Sequence, residues 1–373
     1  MLEDLGRLRT MPHDESPKKR GNPQVIRAGK ADPEKVLLTG ISGYIGLHCA
    51  KELLLSGFKV RGTIRNSRKQ TQVQEVMATE NIDLDNLEFV LLDLTSDNGW
   101  ESAMQGCDYV MHIASPFRIA NPKNDAEMMV PAVDGTNRVM RAAKNAKIKR
   151  VILTSSIVAM MASIRRGLFK PDDWTDLNYP NLSTYIKSKT LAERAAWTFL
   201  DENKGSSLPD LVVIAPGGVF GPPLGSDISG QSLTVLAKML DGKVPMVPDA
   251  AFPMVDVRDV ARLHVMALKK AGVVGSRFIA SGTDPVSFAD AAQMLLDDGY
   301  QGPSTKIAPR WLLKILSIFD REAKGMLALV GIRPTADNST TCDVFNWAPI
   351  PFRRSLLETA SAIDEIKNRK KID

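Results

Sequence analysis

The sequence predicts an α/β fold: a doubly wound parallel sheet with a smaller, mostly helical C-terminal lobe. Three observations carry this. From Glu34 to Pro216, short apolar runs alternate with longer amphipathic segments, the rhythm of strands joined by crossover helices. Three glycines, Gly40, Gly43 and Gly46, follow the first run, where strand would pass into helix. After Pro216 the alternation breaks into Gly-, Pro- and Ser-rich sequence.

KVLLT (35–39) reads as the first buried strand, short and almost uniformly apolar. Gly57 would stop the following helix, and FKVRGTI (58–64) would be the second strand. LEFVLLDL (87–94), YVMHIAS (109–115), RVILTSS (150–156) and LVVIAP (211–216) are the third to sixth, and SRFIAS (276–281) a seventh. NRVMRAAKNA (137–146) and TLAERAAWTFL (190–200) are intervening helices, so the crossovers would be right-handed. GPPLGSDISG (221–230) reads as a loop, and VDVRDVARLHVMAL (255–268) as a strand end and helix returning to the main domain. The expected division is a main domain at 34–220, with 246–268 returning to it, and a substrate lobe at 221–245 and 269–373. Residues 1–33 are polar, mix acids with bases and lack the apolar centre of a secretory signal; they read as a flexible extension.

The 373 residues are 44% apolar and 24% charged, an ordinary globular composition. The net charge of +5 comes from scattered Lys and Arg without an aromatic-interleaved basic stripe. That argues against nucleic acid and suits an anionic cofactor. Cys49, Cys107 and Cys342 lie far apart with no C-x-x-C pair, which points to a reducing, cytoplasmic setting rather than a disulfide framework. His13, His48, His112 and His264 lack metal-ligand spacing, so no metal is expected. His112 reads as a core histidine and Cys49 as a small apolar packing residue. No uncharged apolar run is long enough for a membrane span. WLLKILSIF (311–319) reads as an amphipathic helix packed on the core or lobe rather than a membrane contact.

The glycine turn has the spacing G-x-x-G-x-x-G, one residue wider than the common dinucleotide fingerprint. Gly40 would permit the sharp turn, Gly43 the approach of backbone to a pyrophosphate, and Gly46 close packing of helix on sheet. The N-terminal N–H groups of that helix would hold the phosphates. Thr39, Gly40, Ser42, Gly43, Tyr44, Ile45 and Gly46 are thus candidate cofactor contacts in a Rossmann-type domain. NAD-binding chains usually carry an acid at the end of the second strand. Here the strand ends Thr63-Ile64-Arg65-Asn66, followed by Ser67-Arg68-Lys69, with no acid. An acid would repel a 2′-phosphate, whereas Arg65 can bind it and stack on adenine. NADP(H) is the expected cofactor, with Arg65 the main anchor and Lys69 or Arg68 assisting. Asp93 and Leu94, ending the third strand, would lie near the adenine.

Tyr185 and Lys189 stand at i and i+4 and would share one face of a helix. An isolated Y-x-x-x-K occurs often by chance; Ser156, at the carboxyl end of the fifth strand, gives it weight. Hydride addition to a carbonyl needs a proton for the forming alkoxide. Tyr185 would supply it, Lys189 would lower the Tyr185 pKa and bind the nicotinamide ribose, and Ser156 would hold the substrate oxygen.

The chain resembles an extended short-chain dehydrogenase/reductase of the NAD-dependent epimerase/dehydratase superfamily. T-G-x-x-G-x-x-G runs from Thr39 to Gly46, T-S-S from Thr154 to Ser156 and Y-x-x-x-K from Tyr185 to Lys189. More narrowly it is similar to the dihydroflavonol reductase-like group of aldehyde and ketone reductases, through HIASPF (112–117), PAVDGTNRVM (131–140), DWTDL (173–177) and SKTLAERAAW (188–197). The likeness spans roughly Lys35 to Ala362. It implies cofactor contacts from Ala114, Ser115, Pro116 and Thr154, and nicotinamide contacts from the segment containing Pro216, Gly218 and Val219. Where flavonoid enzymes place a polar residue beyond the serine, SSIVAMMAS (155–163) has Met160 and Met161. That disfavours a flavonoid and favours an apolar or aromatic carbonyl. Phe117, Met160, Met161 and Phe220 are candidate pocket walls, each equally readable as core packing. The expected function is an NADPH-dependent carbonyl reductase, reversible as an alcohol dehydrogenase on secondary alcohols. A hydroxysteroid dehydrogenase, a nucleotide-sugar epimerase or dehydratase, and a non-enzymatic redox sensor are the alternatives. The expected partner is a small carbonyl or alcohol, and the chain could be a monomer or a homodimer.

Overall fold

The structure, a computed structural model, describes residues 32–115, 122, 124–319, 327 and 329–372. The extension expected at 1–33 lies, but for its last two residues, outside them.

The first half runs β1 (Lys35–Thr39), α1 (Tyr44–Leu55), β2 (Lys59–Ile64), α2 (Ser67–Thr79), β3 (Leu87–Leu91), α3 (Trp100–Met104), β4 (Tyr109–His112), α4 (Ala126–Asn145) and β5 (Arg150–Thr154). There follow α5 (Val158–Met161), β6 (Arg166–Phe169), α6 (Thr184–Glu202), β7 (Asp210–Pro216), β8 (Gly218–Phe220), α7 (Gln231–Leu240), β9 (Ala251–Asp256) and α8 (Val257–Lys269). The chain continues through β10 (Ser276–Ala280), β11 (Pro285–Ser287), α9 (Phe288–Asp297), α10 (Arg310–Phe319) and β12 (Arg333–Ala336), then helices Ser339–Phe345 and Phe352–Ile372.

Seven parallel strands form the main sheet, in the order β10-β7-β5-β4-β1-β2-β3. Alternation along β1 shows why the runs read as continuously apolar. Val36 and Leu38 enter one core with α1, α2 and α8, whereas Leu37 enters the other with α3, α4 and α6. All three are 0% exposed, as strands covered on both faces require. The strands end earlier than the apolar runs suggest: Leu92–Leu94, Ile113–Ser115 and Ser155–Ser156 continue past the paired residues. Those segments beyond the strand ends are where the candidate site lies.

The lobe departs from the expected division. β9, within 246–268, joins the three-stranded sheet β11-β9-β8 of the lobe, while α8 packs on the main sheet. Conversely β10, within 269–373, is the edge strand of the main sheet, paired with β7 from Ser276 to Ala280. β6 leaves the 34–220 segment to pair with β12. A parallel strand needs a crossover to return beside its neighbour. Here the crossover from β7 to β10 passes through the lobe, so main domain and lobe interleave in sequence.

Candidate active site

Strand order reverses about β1, which lies between β4 and β2, and this leaves a crevice at the carboxyl ends. β1 stops because Gly40 takes a left-handed backbone, φ +71°, which turns the chain sharply. Gly43 N–H then bonds back to the Gly40 carbonyl at 3.0 Å, so the extra residue of the wide spacing is absorbed in a tight turn. A side-chain carbon at Gly46 would lie 2.1 Å from the Gly40 oxygen; only glycine lets α1 start this close. Gly43 caps α1 without a side-chain bond, and no acid lies in the first turn. The leading N–H groups thus lack intrahelical acceptors at the positive end of the helix. This donor set fits a pyrophosphate.

Several polar candidates are occupied inside the protein. The fully buried Thr39 hydroxyl accepts from Ile113 N and Ala114 N, both at 3.1 Å, and so donates to His112 Nδ1 at 2.8 Å. It ties β1 to β4 and is not open to a ligand. His264 Nδ1 donates to the Val260 carbonyl at 2.7 Å, so its Nε2 accepts from the Thr154 hydroxyl at 2.8 Å. Burial pushes His112 down to about 3 and His264 to about 4, leaving both neutral at ordinary pH. The Tyr44 hydroxyl donates to the Gly221 carbonyl at 2.6 Å, and Ile45 packs against the core. The Thr39, Thr154 and Tyr44 hydroxyls are thus held by His112, His264 and the Gly221 carbonyl, and tie β1 to β4, β5 to α8, and α1 to the segment after β8. Ser42 is half-buried and Gly43 exposed.

Arg65 and Arg68 stand exposed just past β2. Asn66 caps α2, its side-chain oxygen accepting from Lys69 N at 3.2 Å. Lys69 Nζ leans toward Gln72 Oε1 at 2.8 Å and Asp227 Oδ2 at 3.9 Å, which makes it a weaker candidate than Arg65. Asp93 accepts the Thr95 N–H and hydroxyl, both at 2.7 Å, which hold its carboxyl below the usual range, with Arg65 and Arg138 adding to this. Leu94, Ala114 and Ser115 are half-buried beside the crevice; Pro116 and Phe117 lie outside the described residues.

α6 opens on Ser183, whose hydroxyl accepts from Ile186 N at 3.3 Å, and Thr184 donates to Asp125 at 2.6 Å. This cap sets Tyr185 in the first turn and Lys189 one turn on, on the same face. A hydrogen bond joins the Tyr185 hydroxyl to Ser156, two residues beyond β5. Burial pushes the phenol up to about 12, against the lowering effect of Ser156. Burial also pushes the Lys189 ammonium down to about 8, against the attraction of Glu193. Desolvation dominates at Tyr185 and keeps the phenol protonated.

Three of the four candidate pocket walls, Met160, Met161 and Phe220, lie among the described residues. Met160 and Met161 are 0% exposed and pack with Phe169, Ile279 and Ile332. The one-turn helix α5 buries both under the β6–β12 pair. Phe220 sits in the lobe core, edge to face with Phe352 at 5.3 Å. Pro216 is buried, its carbonyl accepting from Ile157 N at 3.0 Å, while Gly218 and Val219 are half-buried in β8. One residue escaped the reading of the sequence. Glu193, one turn beyond Lys189, is buried and meets Ser155 and Arg277; its i+4 spacing from Lys189 was the available signal. Among the described residues no His, Cys, Asp or Glu cluster suits a metal, and no helix is long and apolar enough to cross a membrane.

Comparison with known proteins shows the family. Residues 36–279 match the model of the NAD dependent epimerase/dehydratase family. Cinnamoyl-CoA reductase 1 of Arabidopsis thaliana is 36% identical over 253 residues, covering 66% of this chain and 70% of that protein. A Schizosaccharomyces pombe protein known as an uncharacterized oxidoreductase, C513.07, is 34% identical over 264 residues, covering 66% and 77%. The crystal structure of yeast methylglyoxal/isovaleraldehyde reductase Gre2, complexed with NADPH, superposes with a TM-score of 0.73 at 23% identity, covering 90% of this chain and 99% of that one. The chain belongs to the NAD dependent epimerase/dehydratase family.

Proposed function

We propose that this protein is an NADPH-dependent carbonyl reductase, reversible as an alcohol dehydrogenase, acting on an aldehyde or ketone. The observation that carries the reading is the hydrogen bond between Ser156 and half-buried Tyr185, with buried Lys189 one helical turn away. The reductase activities named for the Arabidopsis relative and for yeast Gre2 support the reaction class. NADPH, when bound, supplies the hydride.

The first turn of α1 and its glycines would hold the pyrophosphate, and Arg65 the 2′-phosphate. Ser156 donates to the carbonyl oxygen and polarises it. Tyr185 gives its proton to the same oxygen as negative charge develops there. A phenol pushed up to about 12 carries its proton at neutral pH but is a weak acid, so giving it up depends on a nearby positive charge that stabilises the tyrosinate. Lys189 is the nearby cation that stabilises the tyrosinate left behind, and it would also bind the nicotinamide ribose. The test is a panel of aldehydes, ketones and secondary alcohols followed by NADPH absorbance. NADPH-dependent reduction of at least one carbonyl, with NADH much weaker, is the expected result. Turnover of a nucleotide sugar with retained NAD, and none of the carbonyls, would overturn the reading.

A further inference from the structure

We propose that Glu193 is a positioning residue: from the turn of α6 beyond Lys189 it holds Ser155, and so Ser156, against the helix that carries Tyr185, and its charge steadies the Lys189 ammonium. This deepens the reductase reading and rests on it for the roles of Ser156, Tyr185 and Lys189.

Tyr185, Lys189 and Glu193 succeed one another at intervals of four residues and so share one stripe of α6. The carboxylate is 1% exposed, yet it is fully used. Oε2 accepts the Ser155 hydroxyl, and Oε1 accepts Arg277 Nε at 2.6 Å and Trp197 Nε1 at 3.3 Å. Arg277 also donates to the Asp173 carbonyl at 2.7 Å and stacks on the Trp174 ring at 3.9 Å. The node therefore joins α6, the end of β5, β10 and the segment before α6. Ser155 is the residue directly before Ser156, so a shift at the node displaces the serine hydroxyl relative to Tyr185.

The charged surroundings are few. Lys189 is faced by Glu193 and Tyr185 on its own helix and by His112 of β4, which burial keeps neutral. α5 is wholly apolar in sequence. On α4 and its start, Asp125 bonds Thr184, while Asp134 shares an outer groove with Arg194 and Glu202. Glu193 is thus the anion that opposes the desolvation of Lys189.

Glu193→Gln alone would strand the Arg277 charge in the interior and threaten folding. Two gentler changes separate the roles. Ser155→Ala keeps the ion pair and cuts the link to β5; kcat for carbonyl reduction should fall about tenfold to a hundredfold with the KM for NADPH unchanged, and Ser155→Thr should restore it. Glu193→Gln combined with Arg277→Met removes both charges. Its Lys189 resonance, observed with 13Cε-labelled lysine and assigned by its loss in Lys189→Met, should titrate roughly one pH unit lower than in the wild type. A titration midpoint that does not move, or a Ser155→Ala enzyme with wild-type kcat, overturns the proposal. A wild type that reduces no carbonyl would instead sink the reductase reading, and the lysine titration, which needs no turnover, would still decide the part of Glu193.

Discussion

The two ends of the main sheet treat ionisable groups in opposite ways. At the amino end, Glu34, Asp108, Lys149 and Lys269 form a network, with Lys149 Nζ 3.1 Å from Glu34 and 2.8 Å from Asp108. Lys269, then Lys149 and Tyr109, hold the Glu34 carboxyl down at about 2, and Asp108 and Glu34 raise Lys149. Glu34 and Lys149 are thus both favoured in their charged forms by their neighbours. At the carboxyl end, burial works against charge: Lys189 is lowered and Tyr185 raised. The first pattern stabilises a fold. The second costs stability, a pattern that clusters at functional sites and motivates the proposed role of these two groups.

Lys189→Met sharpens the contrast most. Reduction should fall by about a hundredfold to ten-thousandfold, since a group tuned for proton transfer is lost. Stability at pH 7 should rise on the order of 3 kcal/mol, because a shift from 10.5 to about 8 is roughly two and a half units. The sign follows from a depressed lysine: the native state disfavours the proton that the unfolded chain keeps. The gain should therefore be whole below about pH 8 and vanish above pH 10.5, which urea melts at pH 7 and 10 would check. A variant less stable at pH 7 would break the comparison.

In the wild type, kcat/KM for reduction should decline above about pH 8 as Lys189 loses its proton in the free enzyme. A flat profile to pH 10 would contradict a working role for that ammonium. Arg65→Ala should raise the KM for NADPH about tenfold and leave that for NADH nearly unchanged, the loss of one charge-assisted contact. Equal effects on both cofactors would remove Arg65 from 2′-phosphate recognition. Smallest is Glu34→Gln at the amino end, which should cost under about 1 kcal/mol because its partners Lys149 and Lys269 are half exposed. A depressed carboxyl stabilises above pH 4.5 and loses that effect as pH falls toward 2, so wild type and variant should converge in acid.

Legibility in the sequence followed the same division. Central parallel strands are buried on both faces, so Val36, Leu37 and Leu38 could be read as one run without knowing which face each enters. The short lobe strands β8 and β11, three residues each, are too brief to carry a period. Tyr185 and Lys189 were legible because helix geometry converts spacing into a shared face. Ser156 was legible because it follows a strand end. Side-chain direction was not: nothing local says that the Thr39 and Thr154 hydroxyls turn inward to His112 and His264. The same holds for Met160 and Met161, since half of the β6–β12 pair that buries their one-turn helix, β12, comes from about 170 residues further along the chain. Glu193 stood in plain view at i+4 from Lys189, but its partner Arg277 comes from the far edge of the sheet.

The central claim is that a protonated Tyr185 delivers the proton of carbonyl reduction. Its most direct measurement is the single-turnover rate of NADPH oxidation by an aldehyde, compared between wild type and Tyr185→Phe at equal cofactor occupancy. The predicted result is a loss of about a hundredfold or more with NADPH affinity unchanged. Equal rates in the two proteins would contradict it.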